Sequence, residues 1–319
     1  MAAAWFGFLF AGYSAVANDS IQTLGTYIAS NSHRPWWILW LFMGLILVLT
    51  LSYSWVVYDG DVSYQRLSSK GFEHSPTSFN YFQIIAPVVL LVITRFKMPV
   101  STTFLLLSSF ANDSKGFTSI LEKSLYGYLI AFTVSMLVWG LLHKLISKLV
   151  SGKMHPAWDI AQWISSGTLW AVWIMQDAAN IAVYLPRQLD TSQFVFFTAF
   201  LFAGLALLFY LRGDKIQNVV DEKSGVSDIR SATLIDFVYA VIMIYFTKIN
   251  TVPMSTTWVF IGLLGGRELA INLTKNTRSR KEVISMISMD ILRALIGLAI
   301  SIILALLANP VLQKEFLGI

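Results

Sequence analysis

The sequence predicts an all-α polytopic membrane protein of about ten transmembrane segments, arranged as two inverted repeats of five with broken helices. Of its 319 residues 56% are hydrophobic and only 13% charged, whereas about a quarter of a soluble domain is charged. Apolar stretches long enough to cross a hydrocarbon core of about 30 Å occur along the whole chain, for example at 36–58, 194–211 and 283–307. Two short polar motifs also recur, once in each half of the chain.

Five apolar units are predicted in each half, separated by proline, glycine and clusters of charge. The first repeat, 1–152, has units at 3–29, 36–58, 79–94, 100–110 and 125–150. The second repeat, 153–319, has them at 157–185, 194–211, 234–246, 254–264 and 283–307. The first unit of each repeat is predicted to be interrupted at its motif, and the long polar connection 59–78 corresponds to 212–231.

The recurring motifs make duplication the better explanation of this likeness. The tract PVSTT at 99–103 returns as PMSTT at 253–257, and NDSIQ at 18–22 returns as QDAAN at 176–180. The two pairs are separated by nearly the same length of chain. Repeats of this size in an apolar sequence indicate a transporter built from two halves, which together form one transmembrane domain.

An odd number of crossings in each half places the two halves in opposite orientations. Three basic loops then lie on one side of the membrane, and the positive-inside rule makes that side cytoplasmic and both termini external, in a plasma (inner) membrane protein. Those loops carry Lys144, Lys148, Lys153, Arg212, Lys215, Lys223, Arg230, Lys275, Arg278, Arg280 and Lys281.

The acidic motifs predict a cation site. An aspartate in hydrocarbon costs about 2.5–3.5 kcal/mol, so Asp19 and Asp177 need partners. An amide follows each of them by three residues and therefore shares its helix face. Hard oxygen ligands with a negative charge suit Na⁺, and Gly25-Thr26 would help the first helix to break there and expose carbonyls. The predicted cation-binding residues are Asn18, Asp19, Gln22, Gln176, Asp177 and Asn180.

The Ser-Thr-Thr tracts predict an anion site at two helix starts within the membrane. Proline fits the first turn of a helix, where the following N–H groups and the positive end of the helix dipole attract an anion. The predicted anion-binding residues are Ser101, Thr102, Thr103, Ser255, Thr256 and Thr257. Because cations would offset both the buried carboxylates and the anion, anion binding is expected to depend on them.

Both motif pairs resemble those of a known family. Asn18-Asp19, Gln22 and Gly25-Thr26 look like the signature GANDxxNxxGT of the inorganic phosphate transporter family, and both Ser-Thr-Thr tracts look like its signature PVSTTH. The resemblance covers both halves. It implies a homodimeric symporter with inverted repeats, which moves phosphate with Na⁺ or protons and needs no other cofactor. It also implies that the aspartates bind the cation and the Ser-Thr-Thr tracts the anion.

Departures from these signatures leave the substrate open between phosphate and an alternative, sulfate or another oxyanion. The family has His after Ser-Thr-Thr, where this chain has Phe104 and Trp258, and Val16 replaces the first glycine. Sulfate permeases resemble the same family, and a nest of donors alone cannot separate two tetrahedral oxyanions. An acceptor facing the protonated oxygen of hydrogen phosphate could do so.

Other functions fit the sequence less well. The aspartates could simply end helices at the membrane surface, and the Ser-Thr-Thr tracts could serve helix packing. A channel needs no stoichiometric cation site. An intramembrane aspartyl protease would use two aspartates but has no need of paired Ser-Thr-Thr tracts, so no enzyme is expected. The charge of +5 is assigned to loops and not to nucleic-acid binding. Asp113 is interpreted as a loop or helix-end residue, and Asp159 and Asp236 as first-turn acids.

Overall fold

A computed structural model describes residues 2–69, 71–73, 79–95, 100–213, 228–249, 251–275 and 279–318. All regular secondary structure in these ranges is helical, which confirms the predicted all-α class. The first half contains helices α1 (Ala2–Ser14), α2 (Ile21–Ser30), α3 (Trp36–Val57), α4 (Tyr81–Arg95), α5 (Thr102–Leu105), α6 (Ser114–Leu141) and α7 (His143–Val150). The second contains α8 (Ala157–Ala182), α9 (Thr191–Tyr210), α10 (Ile229–Ile249), α11 (Thr256–Lys275), α12 (Arg280–Ala308) and α13 (Pro310–Leu317).

Five of the described helices, α3, α6, α9, α10 and α12, are long and apolar enough to cross a membrane. The chain is therefore an integral membrane protein. Along α3 a stripe of leucines at 41, 45 and 49 is exposed, whereas Leu39, Met43 and Leu47 on the opposite face are buried. An exposed apolar stripe of this kind would be unfavourable in water and is suited to contact with lipid.

Only one of the two predicted interruptions is present. A π-helical turn, Ala15–Asp19, separates α1 from α2, so the first motif does lie at a helix irregularity. The helix then continues without a break through Gly25-Thr26, contrary to the prediction. In the second half α8 runs uninterrupted through Gln176-Asp177, so the break predicted there is wrong. Every residue of α8 from Gln176 to Ala182 is buried, and Asp177 and Asn180 share one face, where a hydrogen bond joins them (2.7 Å).

Several helix boundaries also differ from the prediction, among them the starts of α6 and α9. The unit predicted at 125–150 starts at Ser114, because the Asp113 carboxylate caps α6 by accepting a hydrogen bond from the Gly116 N–H (2.8 Å). This confirms Asp113 as a helix-end residue. At α9 a capping box defines the start, where hydrogen bonds from the Ser192 hydroxyl and the Gln193 N–H lower the pKa of Asp190. The unit predicted at 100–110 is the short helix α5 followed by a 3₁₀ turn, Leu107–Phe110.

Helices that occupy equivalent positions in the two halves pack in equivalent pairs. Helix α1 contacts α4, and its counterpart α8 contacts α10. Helix α6 contacts α11, and their counterparts α12 and α5 contact each other. Helices α3 and α9, which are counterparts, pack against one another. Most of the connection 212–231, which is predicted to correspond to 59–78, lies outside the described residues.

Helices α6 and α11 approach so closely that two glycines are required. A Cβ atom on Gly262 would lie 2.4 Å from the Tyr128 carbonyl oxygen, and one on Gly266 would lie 2.1 Å from that of Phe132. The second contact lies four residues after the first on both helices, so α6 and α11 run parallel. The Ser135 hydroxyl also donates to the Leu263 carbonyl oxygen (2.6 Å) across the contact. Small residues and interhelical hydrogen bonds are the usual means of helix association in membranes.

Alanine at Gly262 or Gly266 is expected to lower stability by about 1–3 kcal/mol, because the added methyl group must displace backbone rather than a side chain. The midpoint of thermal unfolding of the detergent-purified protein measures this. Gly265→Ala on the same helix is the matched control, since its nearest neighbour would be the Phe132 ring at an ordinary 3.5 Å. Equal unfolding temperatures for all three variants would contradict the close parallel contact.

Candidate functional site

The two Ser-Thr-Thr tracts form helix starts, as predicted, but serine rather than proline defines them. The Ser101 hydroxyl accepts a hydrogen bond from the Phe104 N–H (3.2 Å), and the Ser255 hydroxyl accepts one from the Trp258 N–H (3.3 Å). Serine is among the preferred N-cap residues. Pro253 precedes the cap by two residues, so its predicted place in the first turn is wrong, and Pro99 lies outside the described residues.

The two helix starts lie against each other. The Thr103 hydroxyl of the first tract donates to the Met254 carbonyl oxygen beside the second (3.1 Å). The rings of Phe104 and Trp258, which directly follow the tracts, are 5.5 Å apart. All six serine and threonine side chains are at most 4% exposed. The sequence predicts this meeting of two distant segments, and the structure contains it.

Each acidic residue lies beside the middle threonine of the tract in its own half. The Thr102 hydroxyl donates to the Asp19 carboxylate, and Thr256 lies beside the Asp177 carboxylate. The two aspartates are buried and near enough for their charges to interact. A pair of carboxylates this close within a membrane protein needs cations or protons to offset their repulsion.

The amides make the reciprocal contact, with the last threonine of the opposite half. Gln22 Nε2 donates to the Thr257 hydroxyl (3.0 Å), and Asn180 Nδ2 donates to the Thr103 hydroxyl (3.3 Å). Equivalent residues of the two halves therefore make equivalent contacts. Four of the predicted cation residues, Asp19, Gln22, Asp177 and Asn180, therefore form one cluster with threonines of the two tracts.

Four oxygen atoms of the predicted cation-binding residues are buried without a hydrogen-bond donor among the described residues. They are Gln22 Oε1, Gln176 Oε1, Asp177 Oδ2 and Asn180 Oδ1. The nitrogen of each of these amides does donate a hydrogen bond. Gln176 Nε2 donates to the Thr247 hydroxyl (2.8 Å), and Asn180 Nδ2 donates to Asp177 Oδ1 (2.7 Å). Buried acceptors are nearly always paired, so these oxygens can accept a hydrogen bond from water or serve as ligands to a cation. The Asn18 side chain, also predicted here, lies outside what the structure describes.

Asp236 does not begin a helix, so its interpretation as a first-turn acid is wrong. Helix α10 starts at Ile229, and Asp236 is buried within it. Its carboxylate accepts hydrogen bonds from the Thr26 hydroxyl (2.6 Å) and the Ser166 hydroxyl (2.5 Å). It thereby joins α2, α8 and α10. Asp159, by contrast, does lie in the first turn of α8.

Arg66 is a residue of the site that the motifs do not reveal. The sequence presents it as one charge in a polar connection, yet its side chain is 1% exposed. The guanidinium donates to the carbonyl oxygens of Met175 (2.6 Å) and Thr251 (3.2 Å), next to both motifs of the second half. The mixture of Val62, Leu67 and Phe72 with polar residues in this connection is the one sequence signal that it is buried.

No protein-family model and no curated protein sequence matches the chain. A solved structure, described as the sodium-dependent phosphate transporter, has the same fold, with a TM-score of 0.62 and 18% sequence identity. The match covers 99% of this chain and 98% of that one. It supports the resemblance that the motifs indicate, and the chain thus has the fold of that transporter over its whole length.

Proposed function

We propose that this protein is a symporter that moves inorganic phosphate across the plasma (inner) membrane together with Na⁺. The observation that carries this proposal is the buried pair of Asp177 and Asn180, which are hydrogen-bonded to each other and each retain an oxygen without a donor among the described residues. Carboxylate and amide oxygens are the ligands that a hard cation takes. The match in fold to a sodium-dependent phosphate transporter supports it independently.

Two cations would complete the charge balance of the site. Asp19 and Asp177 each lie at one Ser-Thr-Thr tract and interact with one another. Without cations their negative charges would repel an oxyanion from the helix starts. With one Na⁺ at each aspartate the repulsion is cancelled, and the N–H groups and hydroxyls of the tracts can receive the anion. Sodium binding would therefore precede and strengthen phosphate binding.

The acceptors in the cluster favour phosphate over sulfate. Hydrogen phosphate carries a proton on one oxygen and needs an acceptor for it, whereas sulfate does not. Met254 O and the carboxylates lie at the tracts and could fill that role. A site that hydrogen-bonds a substrate O–H discriminates strongly against an analogue that lacks it.

The reciprocal contacts of the two halves also support the inverted-repeat organisation of 1–152 and 153–319. Equivalent pairs of helices and equivalent side-chain contacts are what a pseudo-two-fold axis through the site would produce. Movement of one set of helices against the other would then open the site to alternate sides. External termini and a homodimer complete the proposal, and no catalytic role is part of it.

Uptake of labelled phosphate into liposomes that contain the purified protein tests the function. We expect an inward Na⁺ gradient to drive uptake and replacement of Na⁺ by choline to remove it. Labelled sulfate under the same gradient tests the substrate, and we expect much slower uptake. Sodium-independent phosphate uptake that follows a pH gradient would assign the coupling to protons instead, and preferential sulfate uptake would identify a sulfate permease.

A further inference from the structure

The connection between α3 and α4 turns into the interior and buries the side chain of Arg66 there. Val62, Ser63, Leu67 and Phe72 are each at most 1% exposed. The Asp61 carboxylate holds the turn by accepting hydrogen bonds from the N–H groups of residues 63 (2.6 Å) and 65 (2.8 Å). Tyr64 and Gln65 have φ of 55° and 61°, which non-glycine residues seldom adopt. Strain of this size persists where the surrounding structure enforces it, often at functional sites.

Arg66 follows this turn and lies between the two motifs of the second half. Its Nε donates to the carbonyl oxygen of Met175, directly before Gln176-Asp177, and its Nη1 donates to that of Thr251, two residues before Pro253. Its charge interacts with that of Asp177, yet it forms no salt bridge among the described residues. Burying an arginine without a paired carboxylate is costly, so a functional reason for it is expected.

A second buried cation lies beside the first. The Lys123 side chain in α6 is 7% exposed, and its ammonium donates to the carbonyl oxygen of Val252 (2.5 Å), the residue next to the Arg66 contact. The charges of Arg66 and Lys123 are close enough to repel each other. Two positive charges this close in a buried region repel each other, and an anion that contacts both would reduce that repulsion.

We infer that the Arg66 guanidinium, with Lys123 beside it, is the positively charged part of the oxyanion site. This inference rests on the proposed function and adds to the Ser-Thr-Thr tracts a pair of side chains that the motifs do not contain. Arg66 donates to the carbonyl oxygen of Thr251 and Lys123 to that of Val252, and these two residues precede the second helix start. A guanidinium presents its N–H groups as a planar fork, which matches two oxygens of a tetrahedral oxyanion. Arg66 thus provides charge and orientation, and the tracts provide neutral donors.

Orthophosphate uptake by Arg66→Gln and Arg66→Lys proteins in liposomes, at saturating Na⁺, tests this inference. We expect the glutamine variant to raise the KM for phosphate roughly tenfold or more, because a charged hydrogen-bonding partner is lost. The lysine variant should show a smaller increase, since it keeps the charge and loses the fork. The Na⁺ concentration for half-maximal uptake should stay near that of the wild type. Arg34→Gln, which removes a part-exposed arginine paired with Asp159, is the matched control and should leave both values unchanged.

Thermal unfolding separates this role from a purely structural one. In the wild type, orthophosphate added with Na⁺ should raise the unfolding temperature further than Na⁺ alone. Arg66→Gln should retain the increase due to Na⁺ and lose the increase due to orthophosphate. If the variant keeps both increases and the wild-type KM, the inference is overturned while the proposed function stands. If the wild type itself neither transports nor is stabilised by orthophosphate, the proposed function fails, and this inference fails with it. Should Arg66→Gln not fold, an unchanged KM in both Arg66→Lys and Lys123→Gln would overturn it equally.

Discussion

Asparagine at both Asp19 and Asp177 is expected to reduce sodium-driven phosphate uptake by about a hundredfold or more. Each substitution preserves shape and removes one negative charge. Each charged contact is worth roughly 1.5–3 kcal/mol, and every 1.4 kcal/mol is a factor of ten in binding. Asparagine at 19 can still accept the hydrogen bond of Thr102, so the helix start should remain in place. Initial rates of labelled phosphate uptake under a fixed Na⁺ gradient measure the effect.

Asp159→Asn is the control for this double variant. It lies on the same helix as Asp177, in the first turn, and pairs with Arg34 at 3.4 Å near the surface. Its uptake should match that of the wild type, because exposed pairs of this kind contribute little. Sodium-driven uptake that persists in the double variant would remove both aspartates from the coupling mechanism.

The parts of the site that the sequence could predict are the motifs that recur in both halves of the chain. Asp19 and Asp177, and the two Ser-Thr-Thr tracts, recur with the same residue types in the same order. Polar residues in an apolar segment must face one another or trapped water, so repetition indicates that they converge. The structure places the tracts in contact and an aspartate beside each. Their roles as ligands stay predictions.

The parts that sequence could not predict depend on tertiary packing. Arg66 has no counterpart among the recurring motifs, and only the path of its connection takes it into the interior. Asp236 looks like a helix start because polar residues precede it, yet α10 begins a full two turns earlier. Hydrogen bonds from two hydroxyl groups on distant helices offset the cost of burying its carboxylate. The sequence around Asp236 does not indicate these partners.

The positions of helix breaks also depend on tertiary packing and could not be predicted from local sequence. Glycine in Gly25-Thr26 suggests a break, but a single glycine costs a helix only about 1 kcal/mol. Packing of α2 against α8 overrides that preference. The irregularity occurs instead at Ala15–Asp19, where no glycine or proline is present. In α8 the equivalent polar residues are accommodated within a regular helix. Equivalent chemistry in the two halves therefore does not require equivalent backbone.

Valine at both Thr103 and Thr257 is expected to lower the apparent affinity for phosphate by about a hundredfold. The Thr103 hydroxyl accepts from Asn180 and donates to the Met254 carbonyl oxygen, and the Thr257 hydroxyl accepts from Gln22. Valine keeps the volume of threonine and removes every one of these contacts. Two lost hydrogen bonds to a charged ligand, together with the loss of the hydrogen bond from Gln22 Nε2, account for an effect of this size.

The KM for orthophosphate uptake at saturating Na⁺ measures this change, and serine at both positions should restore most of the affinity because it returns the hydroxyls. Thr233→Val is the matched control, since its buried hydroxyl donates only to the Ile229 carbonyl oxygen of its own helix (2.7 Å). An unchanged KM in the double valine variant would mean that the two tracts only pack helices together. If valine raises the KM and serine restores it, the hydroxyl groups themselves are needed for phosphate binding. The anion would then bind where the two halves meet.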